Sequence, residues 1–174
     1  MEASRNIAND VEAVVTSFNQ GTMIMEAVRS LCEQTTPPAR VILVDDGSTD
    51  QESLEVLKKV ETTFSKHLPI TLIRKSNGGV SAARNTGIAR TKAPLVLVLD
   101  GDDKLEPSYI EKVSQLLRDN SSMVAASSWM RTFGVLNAVV CPCGGGLKAF
   151  LSKNCCAATH MMRRKHWEKC GGYD

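Results

Sequence analysis

Apolar residues in this chain gather in short runs, and between the runs they recur at helical spacing. Residues 41–44 (Val-Ile-Leu-Val) and 95–99 (Leu-Val-Leu-Val-Leu) are unbroken. Runs so rich in β-branched residues and leucine predict strands buried on both faces, as in a parallel sheet. Residues 11–18 and 70–73 predict two more strands, the first with a mixed pattern because Glu12 interrupts it. Between strands, Ile24, Ala27, Val28, Leu31 and Cys32 form a helical stripe over residues 23–34, ended by Pro37-Pro38. Leu54, Leu57, Val60 and Phe64 mark a second helix, with Thr49 or Asp50 as its cap. Residues 80–90 predict a third helix behind the tight loop Asn77-Gly78-Gly79. Pro94 starts the fourth strand, which ends at Asp100. Glu106-Pro107 opens a fourth helix, with Pro107 in its first turn and Ile110, Val113, Leu116 and Leu117 facing inward.

This alternation predicts an α/β fold: a three-layer α/β/α sandwich on a mostly parallel central sheet, with right-handed crossovers. From Ser121 the pattern weakens. Residues 123–133 read as one strand, 143–146 as a flexible loop, 147–151 as a short helix, and 163–170 as a helix stopped by Gly171-Gly172. The expected organisation is a polar N-terminal tail, residues 1–10, and one domain over 11–174. Asp174 follows directly on a helix stop, which suggests a fragment of a longer protein.

Composition narrows the function classes. With 43% hydrophobic residues in 174, one buried core is attainable. A net charge of +2 gives no electrostatic case for nucleic acid or an anionic surface, and 5% aromatics gives no stacking platform. No apolar run is long enough to span a bilayer, and the first ten residues lack an apolar leader, so the expected location is cytoplasmic. The six cysteines, Cys32, Cys141, Cys143, Cys155, Cys156 and Cys170, are then expected to be reduced. Their spacing is not the paired two-residue gap of a structural zinc site. A redox role would require two of them to meet in space.

The candidate chemistry lies where the buried strands end. Val44 runs into Asp45-Asp46-Gly47-Ser48-Thr49-Asp50, and Leu99 into Asp100-Gly101-Asp102-Asp103. These carboxylates are expected at the carboxyl edge of the sheet, where open α/β folds bind ligands. Like charges gathered there call for something positive between them, and a divalent metal carrying phosphates is the expected candidate. Asp45-Asp46 also allows a turn with a helix cap, or the acidic pair of a phosphate-receiver domain. A calcium loop is excluded at Asp100, because Lys104 and Leu105 stand where it needs an acid and a glycine. Asn77-Gly78-Gly79-Val80-Ser81-Ala82-Ala83-Arg84-Asn85 taken alone reads as a turn before a helix that packs by its alanines, with Arg84 solvated. Alternatively, the glycines leave backbone N–H groups open to an anion and Arg84 adds a permanent charge. No Gly-Lys-Ser or Gly-Lys-Thr follows, so this is not a nucleoside-triphosphate loop.

Taken in order, Thr16-Ser17-Phe18-Asn19, the Asp45-Asp46 stretch, the Asn77–Gly87 segment, Leu99-Asp100-Gly101-Asp102-Asp103 and Gly171-Gly172-Tyr173-Asp174 resemble the family-two glycosyltransferases of GT-A fold. The resemblance implies an inverting transferase that moves a sugar from a nucleotide-diphosphate donor, UDP-sugar favoured, to an acceptor hydroxyl. A saccharide or lipid-linked acceptor is implied, in polysaccharide or glycoconjugate synthesis for the cell envelope, compatible with peripheral association at the cytoplasmic face of a membrane. It places Thr16, Phe18 and Asn19 at the base pocket, Asp46 on the base N–H, and Asp45 beside it or at the ribose. Asn77, Gly78, Gly79 and Arg84 lie near the donor. Asp102 and Asp103 hold the ribose and Mn2+ or Mg2+, with Asp100 close by at the nucleotide. The catalytic base is expected beyond Asp174. A nucleotide-sugar-binding module without turnover is the alternative within the same fold.

Overall fold

The computed structural model describes residues 7–152 and 155–174. Its elements in order are β1 (Ala8–Ser17), α1 (Met23–Cys32), β2 (Pro38–Asp45), α2 (Gln51–Phe64), β3 (Ile70–Arg74), α3 (Gly79–Ile88) and β4 (Leu95–Asp100). Then follow α4 (Tyr109–Asp119), β5 (Ala125–Ala126), β6 (Met130–Arg131), β7 (Val139–Val140), α5 (Leu147–Ser152), β8 (His160–Arg163) and α6 (Arg164–Cys170). Six strands form one sheet in the order β3-β2-β1-β4-β8-β5. The first four are mutually parallel, while β8 runs antiparallel to β4 and β5. β6 and β7 form a separate antiparallel pair.

The apolar runs form strands because both faces of the sheet are covered. Val11, Ala13, Val15, Leu43, Leu97 and Leu99 pack with Leu31 of α1, Val60 of α2 and Ile110 of α4. Val14, Ile42, Val44, Val96 and Val98 pack on the other face with Ala83 and Ile88 of α3, joined by Trp167 and Tyr173. Each fully buried aliphatic side chain contributes about 1.5–3 kcal/mol, which outweighs any local preference of the segment. Gly87 fixes how closely α3 lies on the sheet. A Cβ there would stand 2.3 Å from Val14 Cγ1 and 3.1 Å from Val44 Cγ2.

Glu12, which breaks the apolar pattern of β1, is 8% exposed and fully partnered. It accepts from Arg40 Nε at 3.0 Å and from the Lys92 and Ala93 N–H groups at 2.5 and 3.1 Å. It fastens the edge of the sheet opposite the strand ends and has no part in the site.

Several expectations are corrected. Ala8, Asn9 and Asp10, assigned to the tail, open β1. Residues 1–6 of that tail lie outside the described residues. In α2, Val56 is buried where Leu54 was expected. Pro107 precedes α4 rather than opening it, and Tyr109 is buried in it while Leu116 stays exposed. Residues 123–133 are not one strand: Ala125–Ala126 pair with β8 in the main sheet, and Met130–Arg131 turn away to pair with β7. β8 itself was not anticipated, and it makes the sheet mixed at this edge.

Candidate functional site

The strand order places the site. From β1 the chain moves outward through β2 to β3, then crosses back so that β4 lies on the other side of β1. Open α/β sheets bind ligands in the crevice at such a switch point, beyond the carboxyl ends of the strands. A cleft of about 320 Å³ lies there. It is lined by Thr16, Ser17 and Phe18 from the end of β1, Gln20, Asp46 after β2, Asn77, Gly79, Val80 and Ala83 around the start of α3, and Asp100 and Asp102 at the end of β4.

Asp100 is the centre of this arrangement. Arg84 Nη2 donates to its Oδ1 at 2.8 Å and to its Oδ2 at 3.0 Å, and Thr16 Oγ1 donates to Oδ1 at 3.1 Å. The Arg84 guanidinium also lies over the Tyr173 ring, 5.6 Å from its centroid, a cation–π distance. Tyr173 Oη is 2.7 Å from His160 Nε2, and His160 Nδ1 is 2.8 Å from the Ala158 carbonyl. Burial holds the His160 pKa below its ordinary value and pushes the Tyr173 pKa up to about 12. The neutral imidazole therefore donates from Nδ1 and accepts the phenol proton at Nε2. Asn85 clamps the turn that carries Tyr173. Its Oδ1 accepts from Trp167 Nε1 at 2.9 Å and from the Tyr173 N–H at 2.8 Å, and its Nδ2 donates to the Tyr173 carbonyl at 2.8 Å.

The first acidic pair behaves differently from the expectation. Asp45 is fully buried and does not line the cleft. Its Oδ1 accepts from the Ser48 N–H and its Oδ2 from Arg74 Nε, both at 3.0 Å, so it builds the turn after β2. Asp46 lines the cleft, yet both of its oxygens are engaged. Lys75 Nζ donates at 2.5 Å, the Gly79 N–H at 2.8 Å, and the Gly78 N–H reaches both oxygens at 3.1 and 3.2 Å. Burial pushes this carboxyl up, but the Lys75 and glycine bonds outweigh it and hold its pKa below the ordinary range. The glycine N–H groups that were expected to meet a ligand anion thus meet Asp46. Asn19, with φ +51, is also structural: its Oδ1 accepts from the Thr49 N–H at 2.8 Å and its N–H donates to Ser48 Oγ at 2.9 Å.

Thr16, Phe18, Asp46, Asn77, Gly79, Asp100 and Asp102 therefore line one cleft, and Arg84 reaches it through Asp100. Asn19, Asp45 and Gly78 support its loops. Asp103 is not among the residues lining the cleft; it borders the adjoining groove between α1, α4 and the β6–β7 pair, where Thr159 Oγ1 donates to its Oδ2 at 3.0 Å. Burial, Asp102 and Asp100 raise the Asp103 pKa above its ordinary value, and the Thr159 bond offsets this only in part. Gln20 and Lys75 were not anticipated. Gln20 follows the Thr16–Asn19 motif directly, and its Oε1 is buried without a hydrogen-bond partner among the described residues, as is Arg84 Nε.

Among the described residues no group of three His, Cys, Asp or Glu side chains converges to hold a metal. The residues nonetheless fit a hard divalent cation. Asp102 is an exposed oxygen donor with no hydrogen-bond partner among the described residues, and Asp103 beside it is under-compensated. One or two carboxylates, completed by phosphate oxygens and water, are the usual protein share of a magnesium-type site.

A mostly parallel α/β sheet with a cleft at its switch point, an arginine-braced aspartate and an acidic loop after β4 defines an open α/β fold of the kind that takes ligands at this edge. The sequence match is more specific: the model of glycosyl transferase family 2 covers residues 12–139, and the chain belongs to that family. It is 30% identical over 115 residues to the poly(ribitol-phosphate) β-N-acetylglucosaminyltransferase TarP of Staphylococcus aureus, covering 64% of this chain and 34% of TarP. It is 28% identical over 127 residues to the cholesterol galactosyltransferase of Borreliella burgdorferi, covering 73% of this chain and 34% of that protein. The chain thus spans about a third of the length of the curated relatives it matches. In three dimensions it is similar to S. aureus TarS solved with UDP-GlcNAc, with a TM-score of 0.76 at 20% identity, covering 94% of this chain and 48% of TarS. The mannosyltransferase PcManGT of Pyrobaculum calidifontis, solved with GDP-Man and Mn2+, gives a TM-score of 0.69 at 19% identity, covering 99% of this chain and 51% of that one. The fold is the GT-A glycosyltransferase fold, and family membership removes the receiver-like reading.

Proposed function

We propose that this chain binds a nucleotide-diphosphate sugar in the switch-point cleft and serves its transfer, with inversion, to an acceptor hydroxyl of a saccharide or a lipid-linked saccharide. The observation that carries the reading is the convergence of Asp100, braced by Arg84 and Thr16, with the unpartnered Asp102 at one end of a cleft walled by Phe18 and Asn77. Phe18, 46% exposed, offers an apolar surface to a base. Asp100 faces the ribose and is held there by its two partners. Asp102 and Asp103 would hold Mn2+ or Mg2+. Such an ion, when bound, stabilises the negative charge that develops on the departing diphosphate. Uridine donors are the first to test, because the similar TarS structure was solved with UDP-GlcNAc.

The proton of the acceptor hydroxyl needs a base, and the cleft's own carboxylates are committed. Asp46 orders the loop, Asp100 takes Arg84 and Thr16, and Asp102 would be taken by the cation. We therefore place the base outside this set of carboxylates. Asp46 is reassigned from a contact with the base to the organiser of the Asn77-Gly78-Gly79 loop. A carboxylate offers about four acceptor positions, and these are filled.

Thermal shift with UDP, UDP-GlcNAc and GDP-mannose, with manganese and with chelator, tests the reading. A ligand at a hundred times its Kd stabilises by about 2.7 kcal/mol, a rise of about 5–10 °C in a chain of this size. The rise should require manganese and vanish in Asp102→Asn. Equal stabilisation in chelator would overturn the cation assignment, and no stabilisation by any nucleotide would overturn the donor site. Asp46→Asn separates its two roles. Loop loss should weaken uridine and cytidine diphosphates alike, whereas a selective loss for uridine would restore the direct contact with the base.

A further inference from the structure

The structure brings two of the six cysteines together. Cys143 Sγ and Cys155 Sγ are 3.3 Å apart across twelve positions of sequence. A disulfide bond is about 2.05 Å long, so a relative movement of about 1.2 Å closes the gap. The backbone around the pair is already joined, because the Gly144 N–H donates to the Cys155 carbonyl at 3.0 Å. Gly144 and Gly145 have φ of +59° and +135°, and this turn brings the chain back on itself at Cys143. The two thiols differ in access. Cys143 is exposed, while Cys155 is 1% exposed. Cys156 faces elsewhere, its sulfur 3.8 Å from Ser127 Oγ.

We propose that Cys143 and Cys155 form a reversible redox site, closed to a disulfide by a small-molecule disulfide of the glutathione type. The exposed Cys143, as thiolate, attacks one sulfur of the oxidant, and one glutathione thiolate leaves. Cys155, having lost its proton, then attacks the Cys143 sulfur of the mixed disulfide and expels the second glutathione thiolate. Two protein thiols are oxidised by two electrons, one small disulfide is reduced to two thiols, and the two protons pass through water to those thiols. The bridge would tie the glycine turn to the segment leading to Thr159, whose hydroxyl holds Asp103. This inference is independent of the donor reading.

The test treats the whole chain with oxidised glutathione, alkylates what remains, and reads intact mass and cross-linked peptides. Against a fully reduced and alkylated control the parent should take up two alkyl groups fewer, with Cys143 and Cys155 linked in the peptide map, and regain both on reduction. Cys141→Ser and Cys156→Ser should still form the bridge. Cys155→Ser should stop at a mixed disulfide on Cys143, and Cys143→Ser, at an exposed position, should form no bridge. Accumulation of the mixed disulfide in the parent without a bridge would overturn the proposal. So would a bridge that persists in Cys143→Ser.

Discussion

Replacing Asp100 by Asn keeps the shape of the side chain and removes its charge, so it isolates what the Arg84–Asp100 pair contributes. The two side chains are 13% and 23% exposed, between the fully buried and the surface case. Removing one partner of a buried pair costs about 3–5 kcal/mol, while exposed pairs contribute about 0–1 kcal/mol. The expected loss is therefore about 2–3 kcal/mol. The bonds themselves agree: each charge-assisted hydrogen bond contributes about 1.5–3 kcal/mol, but both come from one guanidinium nitrogen and do not add. Arg84→Met, which keeps the aliphatic stem but also removes the guanidinium from over the Tyr173 ring, should lose at least as much. The assay is urea unfolding of the parent, both single variants and the double variant, without ligand. Because the two changes remove one interaction, the double variant should be no more than about 1 kcal/mol below either single variant, a coupling of about 2 kcal/mol. In melting temperature each single variant should fall by about 5–10 °C. Losses below about 0.5 kcal/mol, or losses that add within about 0.5 kcal/mol, would refute the reasoning, because the pair would then be solvated.

Asp103 should make stability depend on pH in an unusual direction for a carboxylate. Its native pKa is raised, so the folded chain keeps the proton over a range where the unfolded chain has lost it. Its contribution is favourable below the unfolded value and is lost as pH rises through the raised native value. Urea midpoints between pH 4 and 7 should therefore fall less with rising pH in Asp103→Asn than in the parent, and parallel profiles would contradict this. Asn85→Asp keeps the acceptor for Trp167 and Tyr173 but sets a carboxylate 2.8 Å from the Tyr173 carbonyl. A loss of about 1–3 kcal/mol is expected in chemical unfolding, with a change in tryptophan fluorescence, and unchanged stability would show that the turn does not depend on this clamp.

The half of the fold that positions the cleft was legible because its signals are local. Unbroken apolar runs become strands whichever partners they find, and the Asp50 side chain caps α2 by accepting from the Ser53 N–H within its own turn. β8 was not legible. His160-Met161-Met162-Arg163 lies directly before a helical segment, and it becomes a strand only because β4, more than sixty residues earlier, offers an unpaired edge. The same distinction governs the site. That carboxylates gather at the strand ends could be read from the chain, and so could the need for something positive between them, for which a metal was the expectation. The fold supplies Arg74 to Asp45, Lys75 to Asp46 and Arg84 to Asp100, each from the end of β3 or from α3. Those partners are remote from the first acidic pair in sequence, 29 positions in two cases, so no local pattern announces them. Three of the five carboxylates are thereby neutralised by the chain itself. Among the described residues Asp102 has no hydrogen-bond partner and Asp103 accepts only from the neutral Thr159 hydroxyl, so neither has a compensating cation of its own. The case for a divalent cation is therefore narrower than the acidic composition of the loops implied, and it rests on these two residues.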